Sequence, residues 1–266
     1  HTTFIDTILK HQHRGRIHAD INPIRSDQGG TVTGRFSYSN PNLQQIPARN
    51  KDLGPMIRSL FIPEKNHKWS CFDYSQQEPR LVVHYAATTE PIRFDTSVSS
   101  IVNKFKDDTV DFHQTVADMA NISRTQAKTI NLGLFYGMGK AKLQAELGLS
   151  TKDEATKLFN KYHDSVPFVK DLMDAISRDG SAFGYIKTFG GRKCRFDKWE
   201  IAEWNNGKFV APMSKADAEA AYFKKYPKAT KANIRRAMTY KALNKLIQGS
   251  AADMTKQSML DLYREG

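Results

Sequence analysis

The sequence predicts an α+β fold, and three stretches carry that reading. Residues 68–74 alternate as a short strand, with Trp69, Cys71 and Asp73 on one face and Ser70, Phe72 and Tyr74 on the other. Residues 75–87 follow as a helix: Ser75 and Glu78 have the spacing of a capping box, and 81–87 supply an apolar run to bury. Residues 184–193 read as a strand, a glycine turn and a basic exit. Asp73 thus stands where a strand ends and a helix begins, a place where helix N-terminal amides favour anions.

The chain has 266 residues, enough for one large domain or two smaller ones, and its 39% hydrophobic and 26% charged content is ordinary for a globular protein. Its charge is not ordinary. Forty Lys and Arg against 28 Asp and Glu give +12, which favours a polyanionic partner, nucleic acid before membrane. No apolar run is long enough to span a bilayer. Cys71 and Cys194 lack any CxxC or Cys/His metal spacing, so they are expected as free thiols in a reducing compartment. The chain opens on His1 without Met and stops at Gly266 inside a helical pattern, and is expected to be a fragment at both ends.

In chain order, residues 2–11 have helical apolar spacing, and residues 14–47 are polar and punctuated by Gly and Pro. Read alone, residues 30–47 form a hairpin and loops. Residues 58–63 and 68–74 are predicted as two strands joined through 64–67, and 88–108 as irregular. A second capping box, Ser123 with Gln126, opens a helix over 123–137. On it Arg124, Lys128, Leu132 and Tyr136 recur every fourth residue and share one face, charged at its N-terminal end and apolar at the other. A nucleotide has that polarity, triphosphate at one end and base at the other. A solvated basic turn would explain the cations but not their register with Tyr136 and Gly137. Residues 140–180 read as helices whose apolar side chains form core, and 198–231 as a lysine-rich surface excursion. Residues 234–264 read as one long helix with Leu243, Leu246, Ile247, Met254 and Leu260 buried and Asn244 and Gln248 on another face.

Several of these segments resemble the motifs of the family A DNA polymerases, the family of bacterial DNA polymerase I and many phage replicases. Asp73-Tyr74-Ser75-Gln76-x-Glu78-x-Arg80 resembles the first palm motif. Thr31-x-Thr33-Gly34-Arg35 and Pro41-Asn42-Leu43-Gln44-x-Ile46-Pro47 are similar to the family's primer-template segments, and Asp111-x-His113 to its Asp-x-His. Arg124, Lys128, Gly133, Tyr136 and Gly137 resemble the fingers helix, residues 184–192 the segment G-Y-x-x-T-x-x-G-R, and Asn244-x3-Gln248-Gly-Ser-Ala-Ala-Asp253 the helix behind the primer terminus. The resemblance runs from about Gly15 to the last residue. It departs at Tyr240, where the family often has Arg, and at Leu132, where its best-known members carry Phe or Tyr.

The resemblance implies a right-hand fold: residues 1–80 as the N-terminal part of the palm with the primer-template loop, 81–236 as mainly helical fingers, and 237–266 as a palm re-entry helix. It implies transfer of a nucleotide from a dNTP to a primer 3′-hydroxyl with two Mg²⁺ ions, held by Asp73 and the Tyr74 carbonyl. His113, Arg124 and Lys128 would meet the triphosphate, with Lys128 protonating pyrophosphate; Gln76, Glu78 and Leu132 would border the nucleotide, Glu78 as a gate against a ribose 2′-hydroxyl. Tyr136 would stack near the templating pair. Arg35, Asn42, Gln44, Arg49, Asn244 and Gln248 would touch DNA, and Arg192 would pair structurally or face template phosphate. For His113 taken alone, a solvated surface residue is the plainer reading.

The family's second catalytic Asp lies in a His-Asp-Glu triplet, and no such triplet occurs here. The chain alone is therefore expected to be inactive. Expected partners are primer-template DNA and a dNTP, with a processivity factor unknown, in the cytoplasm of a bacterium or phage-infected host, an organelle staying open. A single-subunit RNA polymerase shares the architecture, but Glu78 and the full Asp73-to-Arg80 string argue against it. A non-catalytic basic DNA-binding module leaves Asp73, Arg124 and Lys128 unexplained, and a metal-dependent nuclease would need a clustered acidic set.

Overall fold

The structure, a computed structural model, describes residues 5–24, 26, 29–47, 50–107, 109–135, 138–203 and 210–265. It divides into two compact units, residues 1–75 and 76–266.

In the first unit the helical spacing of 2–11 yields one short helix, α1 (Thr7–Leu9). Strands β1 (Gln12–His13) and β2 (Arg16–Ile17) pair antiparallel across Arg14 and Gly15, whose φ of 50° and 75° suit a two-residue hairpin turn. Strand β3 (Asp20–Asn22) pairs antiparallel with β4 (Ser37–Ser39), so the loop between them carries residues 30–36. Helix α2 (Leu53–Arg58) follows.

The two strands expected over 58–63 and 68–74 are not present. Arg58 ends α2, the turn at 64–67 forms with the His67 amide donating to the Glu64 carbonyl at 2.9 Å, and residues 68–74 are irregular. The reason is that a strand needs a ladder partner and a face to bury. Among the described residues, none of the buried hydrophobic side chains lies before Leu81, and Trp69 and Phe72 are 67% and 78% exposed. The alternation is in the sequence, but among the described residues of this unit no strand pairs with 68–74.

The second unit is mainly helical: α3 (Gln77–Thr88), α4 (Thr96–Lys104), α5 (Phe112–Ala120), α6 (Arg124–Phe135), α7 (Lys140–Leu147), α8 (Lys152–Ser165) and α9 (Pro167–Phe183). The antiparallel hairpin β5 (Tyr185–Lys187) and β6 (Lys193–Arg195) comes next, as the glycine turn predicted. Then β7 (Trp199–Ile201) pairs with β8 (Ile234–Arg236) around α10 (Lys215–Lys225), and α11 (Ala242–Glu265) closes the chain. Local chemistry sets the boundaries. Asp95, Asp111, Thr151 and Ser214 accept amide protons at the starts of α4, α5, α8 and α10, and Asn121, Gly148 and Gly184 end α5, α7 and α9 in left-handed conformation. The core lies where α3, α5, α6, α8, α9 and α11 meet; Val82, Phe112, Ile130, Tyr162, Phe168, Leu172, Leu246 and Ile247 are all fully buried there. Each large side chain so buried contributes about 1.5–3 kcal/mol.

Three boundaries differ from expectation. Ser75 does not cap α3: Gln76 holds the N-cap position with φ 53° and makes no capping bond, its side chain being engaged elsewhere. Residues 88–108 are not irregular, because Asp95 caps α4 and Val98 and Ile101 give it a buried face. The long helix over 234–264 begins only at Ala242. Residues 234–236 are taken by pairing with β7, and Met238 turns left-handed with φ 63°. Leu243, Leu246 and Ile247 are buried and Met254 packs against them, but Leu260 is exposed.

Gly184 and Gly148 allow a comparison. Both have positive φ, 76° and 61°, but a Cβ on Gly148 would meet open space whereas one on Gly184 would lie 2.6 Å from the Arg236 guanidinium carbon. Arg236 is held by the Phe196 carbonyl at 2.9 Å and stacks over Trp199 at 4.7 Å, so it does not yield freely. Urea unfolding should show Gly148→Ala costing about 1–2 kcal/mol and Gly184→Ala about 2–4 kcal/mol. Equal costs would mean that Arg236 swings aside.

Candidate functional site

Helix α6 has two faces. Ala127, Ile130 and Asn131 are turned inward and fully buried, which leaves Arg124 and Lys128 exposed and Leu132 half-buried on the outer stripe. Its start forms as predicted: the Ser123 amide donates to Gln126 Oε1 at 3.0 Å and the Gln126 amide to Ser123 Oγ at 3.2 Å. Tyr136 and Gly137, the far end of the stripe, lie outside the described residues. Gly133 faces Met138: a Cβ there would come within 1.7 Å of its terminal methyl carbon, so a side chain at 133 would require the methionine to move.

Arg124 donates through Nε and Nη2 to one oxygen of Asp111, at 2.9 and 2.5 Å. The other Asp111 oxygen accepts the amides of His113 and Gln114 at 2.8 and 3.1 Å and so caps α5. One carboxylate thereby starts α5 and aims the guanidinium of α6. Partial burial opposes ionisation of Asp111, but the Arg124 bonds, the two amides and the guanidinium charge outweigh it and hold its carboxyl below the usual range. Sequence reasoning did not assign Asp111 a role; its place one residue before a helical run was the available signal.

His113 is not a surface residue. It is 8% exposed, and Asn131 Nδ2 donates to its Nδ1 at 3.0 Å while the buried Tyr162 hydroxyl donates to Asn131 Oδ1 at 2.5 Å. Burial, then the positive fields of Arg124 and Lys128, push the imidazole pKa down against the opposing field of Asp111. Asn131 and Tyr162 were missed as well, since periodicity marks both only as core.

Gln76 joins α3 to α5. Its Nε2 donates to the Val110 carbonyl at 2.7 Å and its Oε1 accepts the Phe112 amide at 2.6 Å. Glu78 is half-buried in the first turn of α3, and Arg80 donates to the Phe105 carbonyl at 3.2 Å while stacking on that ring. Gln77 reaches the Ala251 carbonyl on α11 at 3.1 Å. On α11, Asn244 and Gln248 are half-buried. Lys245 is spent inside the fold, donating to the Arg195 carbonyl at 3.2 Å and lying 4.1 Å from the Phe196 ring centroid. Arg192, expected either to pair or to face phosphate, pairs: it donates to Asp253 at 2.9 Å and to the Gly249 carbonyl at 3.0 Å.

In the first unit Asp73, Tyr74, Arg35, Asn42 and Gln44 are exposed, and Arg49 lies outside the described residues. Asn42 Oδ1 accepts the Gln44 amide at 3.1 Å and Gln44 Nε2 donates to the Phe36 carbonyl at 3.2 Å, so both amides shape their own loop. The Asp73 carboxylate and Tyr74 carbonyl are hard oxygen donors of the kind Mg²⁺ takes. Among the described residues, no group of three or more His, Cys, Asp or Glu is gathered to hold a metal. Also among the described residues, no helix is long and apolar enough to cross a membrane.

The sequence profile of DNA polymerase family A matches residues 1–266. The chain belongs to DNA polymerase family A. Among family A relatives, a DNA-directed DNA polymerase of Pseudomonas phage M6 is 33% identical over all of this chain and 42% of its own length. DNA polymerase I of a Synechocystis strain is 32% identical over 99% of this chain and 25% of its own. The chain thus spans well under half of these relatives. The polymerase domain of Pol1 from M. smegmatis, solved in complex with DNA primer-template and dNTP, superposes with a TM-score of 0.72 at 26% identity, covering 99% of this chain and 40% of that one. This likeness to a polymerase domain, with the helices and small antiparallel sheets described above, is the α+β polymerase class expected from the sequence.

His113 and His163 give this family A chain a pH signature. Burial lowers both pKa values; Lys170 adds to this at His163 while Asp164 and Asp174 oppose it. A buried neutral histidine binds its proton more weakly folded than unfolded, so stability is full above the unfolded value of 6.5 and falls as pH drops below it toward the folded value. The shifted carboxylates, Asp107, Asp111, Glu64 and Glu203, sit below their ordinary values of 3.8 and 4.5 and titrate later. The thermal midpoint should therefore fall between about pH 6.5 and pH 5, and His163→Gln should flatten part of that fall. A midpoint constant over the window would contradict the burial.

Proposed function

We propose template-directed DNA synthesis: a primer 3′-hydroxyl attacks the α-phosphate of a dNTP, a new P–O bond forms, and pyrophosphate leaves. The observation that carries this reading is the outer stripe of α6, two exposed cations followed by Leu132, with buried His113 beside it in a chain of DNA polymerase family A. The solved polymerase-domain neighbour, in complex with DNA primer-template and dNTP, supports the same partners here.

Arg124 and Lys128 take the triphosphate, and Lys128 donates a proton to the departing pyrophosphate. Arg124 must exchange Asp111 for phosphate. That pair is half-exposed and worth about 0.2–1 kcal/mol. A triphosphate carries more negative charge than one carboxylate and offers the guanidinium the same kind of acceptors, so it competes for Arg124. Asp111 then serves as a placeholder that keeps the guanidinium aimed before substrate arrives. His113 adds a further donor, and Tyr136 stacks near the templating pair. Glu78, in the first turn of α3 and tied through Gln76 to the start of α5, acts as the gate against a ribose 2′-hydroxyl.

Asp73 and the Tyr74 carbonyl would contribute oxygen ligands to Mg²⁺, which would supply charge neutralisation at the reacting phosphate. Arg35, Arg49, Asn42 and Gln44 contact the primer-template, and Asn244 and Gln248 lay their amides in the minor groove. Residues 1–80 and 237–266 serve as palm and 81–236 as fingers. The chain by itself binds primer-template weakly and does not extend it.

In the full-length polymerase, Lys128→Ala should lower kcat for single-nucleotide incorporation by about 10²–10⁴-fold, and Asp73→Asn should abolish incorporation while duplex binding persists. Near-normal turnover in either variant refutes its assigned role. Glu78→Ala should raise rNTP use relative to dNTP; lowered stability with unchanged sugar preference would reduce Glu78 to a helix-starting residue.

A further inference from the structure

We propose that Tyr162 and Asn131 form a buried positioning relay that fixes which nitrogen of His113 carries the proton, and so keeps Nε2 as a hydrogen-bond donor for the substrate triphosphate. The inference rests on the reading of His113 as a triphosphate contact. Three helices contribute one residue each: His113 from α5, Asn131 from α6 and Tyr162 from α8. Asn131 and Tyr162 have no exposed surface, and His113 has 8%.

A leucine at position 131 would fill the same space without needing partners. The amide instead has a partner at each end, the Tyr162 hydroxyl at 2.5 Å on Oδ1 and His113 Nδ1 at 3.0 Å from Nδ2. An amide nitrogen only donates, so Nδ1 must present a lone pair, and the one proton of a neutral imidazole then sits on Nε2. Tyr162 supplies the direction. With its hydroxyl donating to Oδ1, a flip of the amide would take the acceptor away from the buried phenol proton, so the orientation that offers Nδ2–H to the histidine is favoured. Burial pushes the phenol pKa up, so this donor persists at every working pH. Burial also lowers the imidazole pKa, aided by Arg124 and Lys128 and opposed by Asp111, so the ring stays neutral and the tautomer matters.

The consequence is chemical. Phosphate oxygens only accept, so the Nε2–H tautomer binds them and the Nδ1–H tautomer presents a repelling lone pair instead. The relay thus selects the tautomer able to bind before substrate arrives, and Tyr162 acts on the nucleotide without touching it.

The test uses the full-length polymerase with ¹⁵N-labelled histidine, His113 being assigned by its loss in His113→Gln. Long-range ¹⁵N–¹H correlations should show the Nε2–H tautomer in the unsubstituted protein, a mixture in Tyr162→Phe, and a proton on Nδ1 in Asn131→Asp, whose carboxylate can only accept. In steady-state incorporation, Tyr162→Phe should raise KM for dNTP about 5-fold with kcat changed less than about 2-fold. Added to His113→Gln it should have no further effect, because the two act through one contact. A Nδ1–H signature in the unsubstituted protein, an unchanged tautomer in Tyr162→Phe, or additive effects of the two substitutions would overturn the relay. If His113→Gln alone leaves KM for dNTP unchanged, the triphosphate role of His113 falls, whereas the tautomer measurements still decide whether the relay sets the ring.

Discussion

The second unit depends on how Gln76 closes the chain on itself. Its backbone is left-handed, which costs a non-glycine residue about 1–2 kcal/mol. The return is two short bonds from one side chain, to the Val110 carbonyl and the Phe112 amide. They join the start of α3 to the start of α5 across 34 and 36 residues of sequence. From there the dependencies run in order. The fixed start of α5 sets Asp111, Asp111 aims Arg124 on α6, and the buried face of α6 carries Asn131 to His113. Loss of the Gln76 side chain would loosen each later step, although Gln76 is remote in sequence from all of them.

The charge of the chain is divided between two uses. Arg192 and Lys245 bind carbonyls, a carboxylate and a ring inside the fold, and fasten the β5–β6 hairpin and the segment after it to α11. Within the β7–α10–β8 excursion, Lys225 is held by Glu203 at 2.7 Å and Arg235 by Glu200 at 2.7 Å. The excess of +12 therefore does not translate residue for residue into nucleic-acid contacts. What distinguishes Arg124 and Lys128 from these structural cations is their shared outward stripe, with a buried imidazole beside it.

Much of the second unit was legible in the sequence because its signals are local. The Ser123–Gln126 box, the glycine turn at 190–191 and the apolar spacing of α8 and α9 each act within a few residues, and each forms as read. The failures share one cause, competition from distant partners. Ser75 and Glu78 have capping spacing, but Gln76 is claimed by Val110 and Phe112 and moves the helix start. The helix expected from residue 234 yields to pairing with β7. Residues 58–74 carry strand alternation without a buried face to satisfy it. At the site, Arg124 and Lys128 could be read from spacing, whereas Asp111, Asn131 and Tyr162 could not, because their roles come from contacts 13 to 31 residues apart.

The central claim is that this chain forms the nucleotide-handling part of a template-directed DNA polymerase. The most direct measurement offers the purified full-length protein a primer-template with one defined templating base, Mg²⁺, and each of the four dNTPs and four rNTPs singly. The account predicts extension by one nucleotide with the complementary dNTP, and far less with the other seven. Extension that ignores the templating base, preference for the complementary rNTP, or strand cleavage without extension would contradict it.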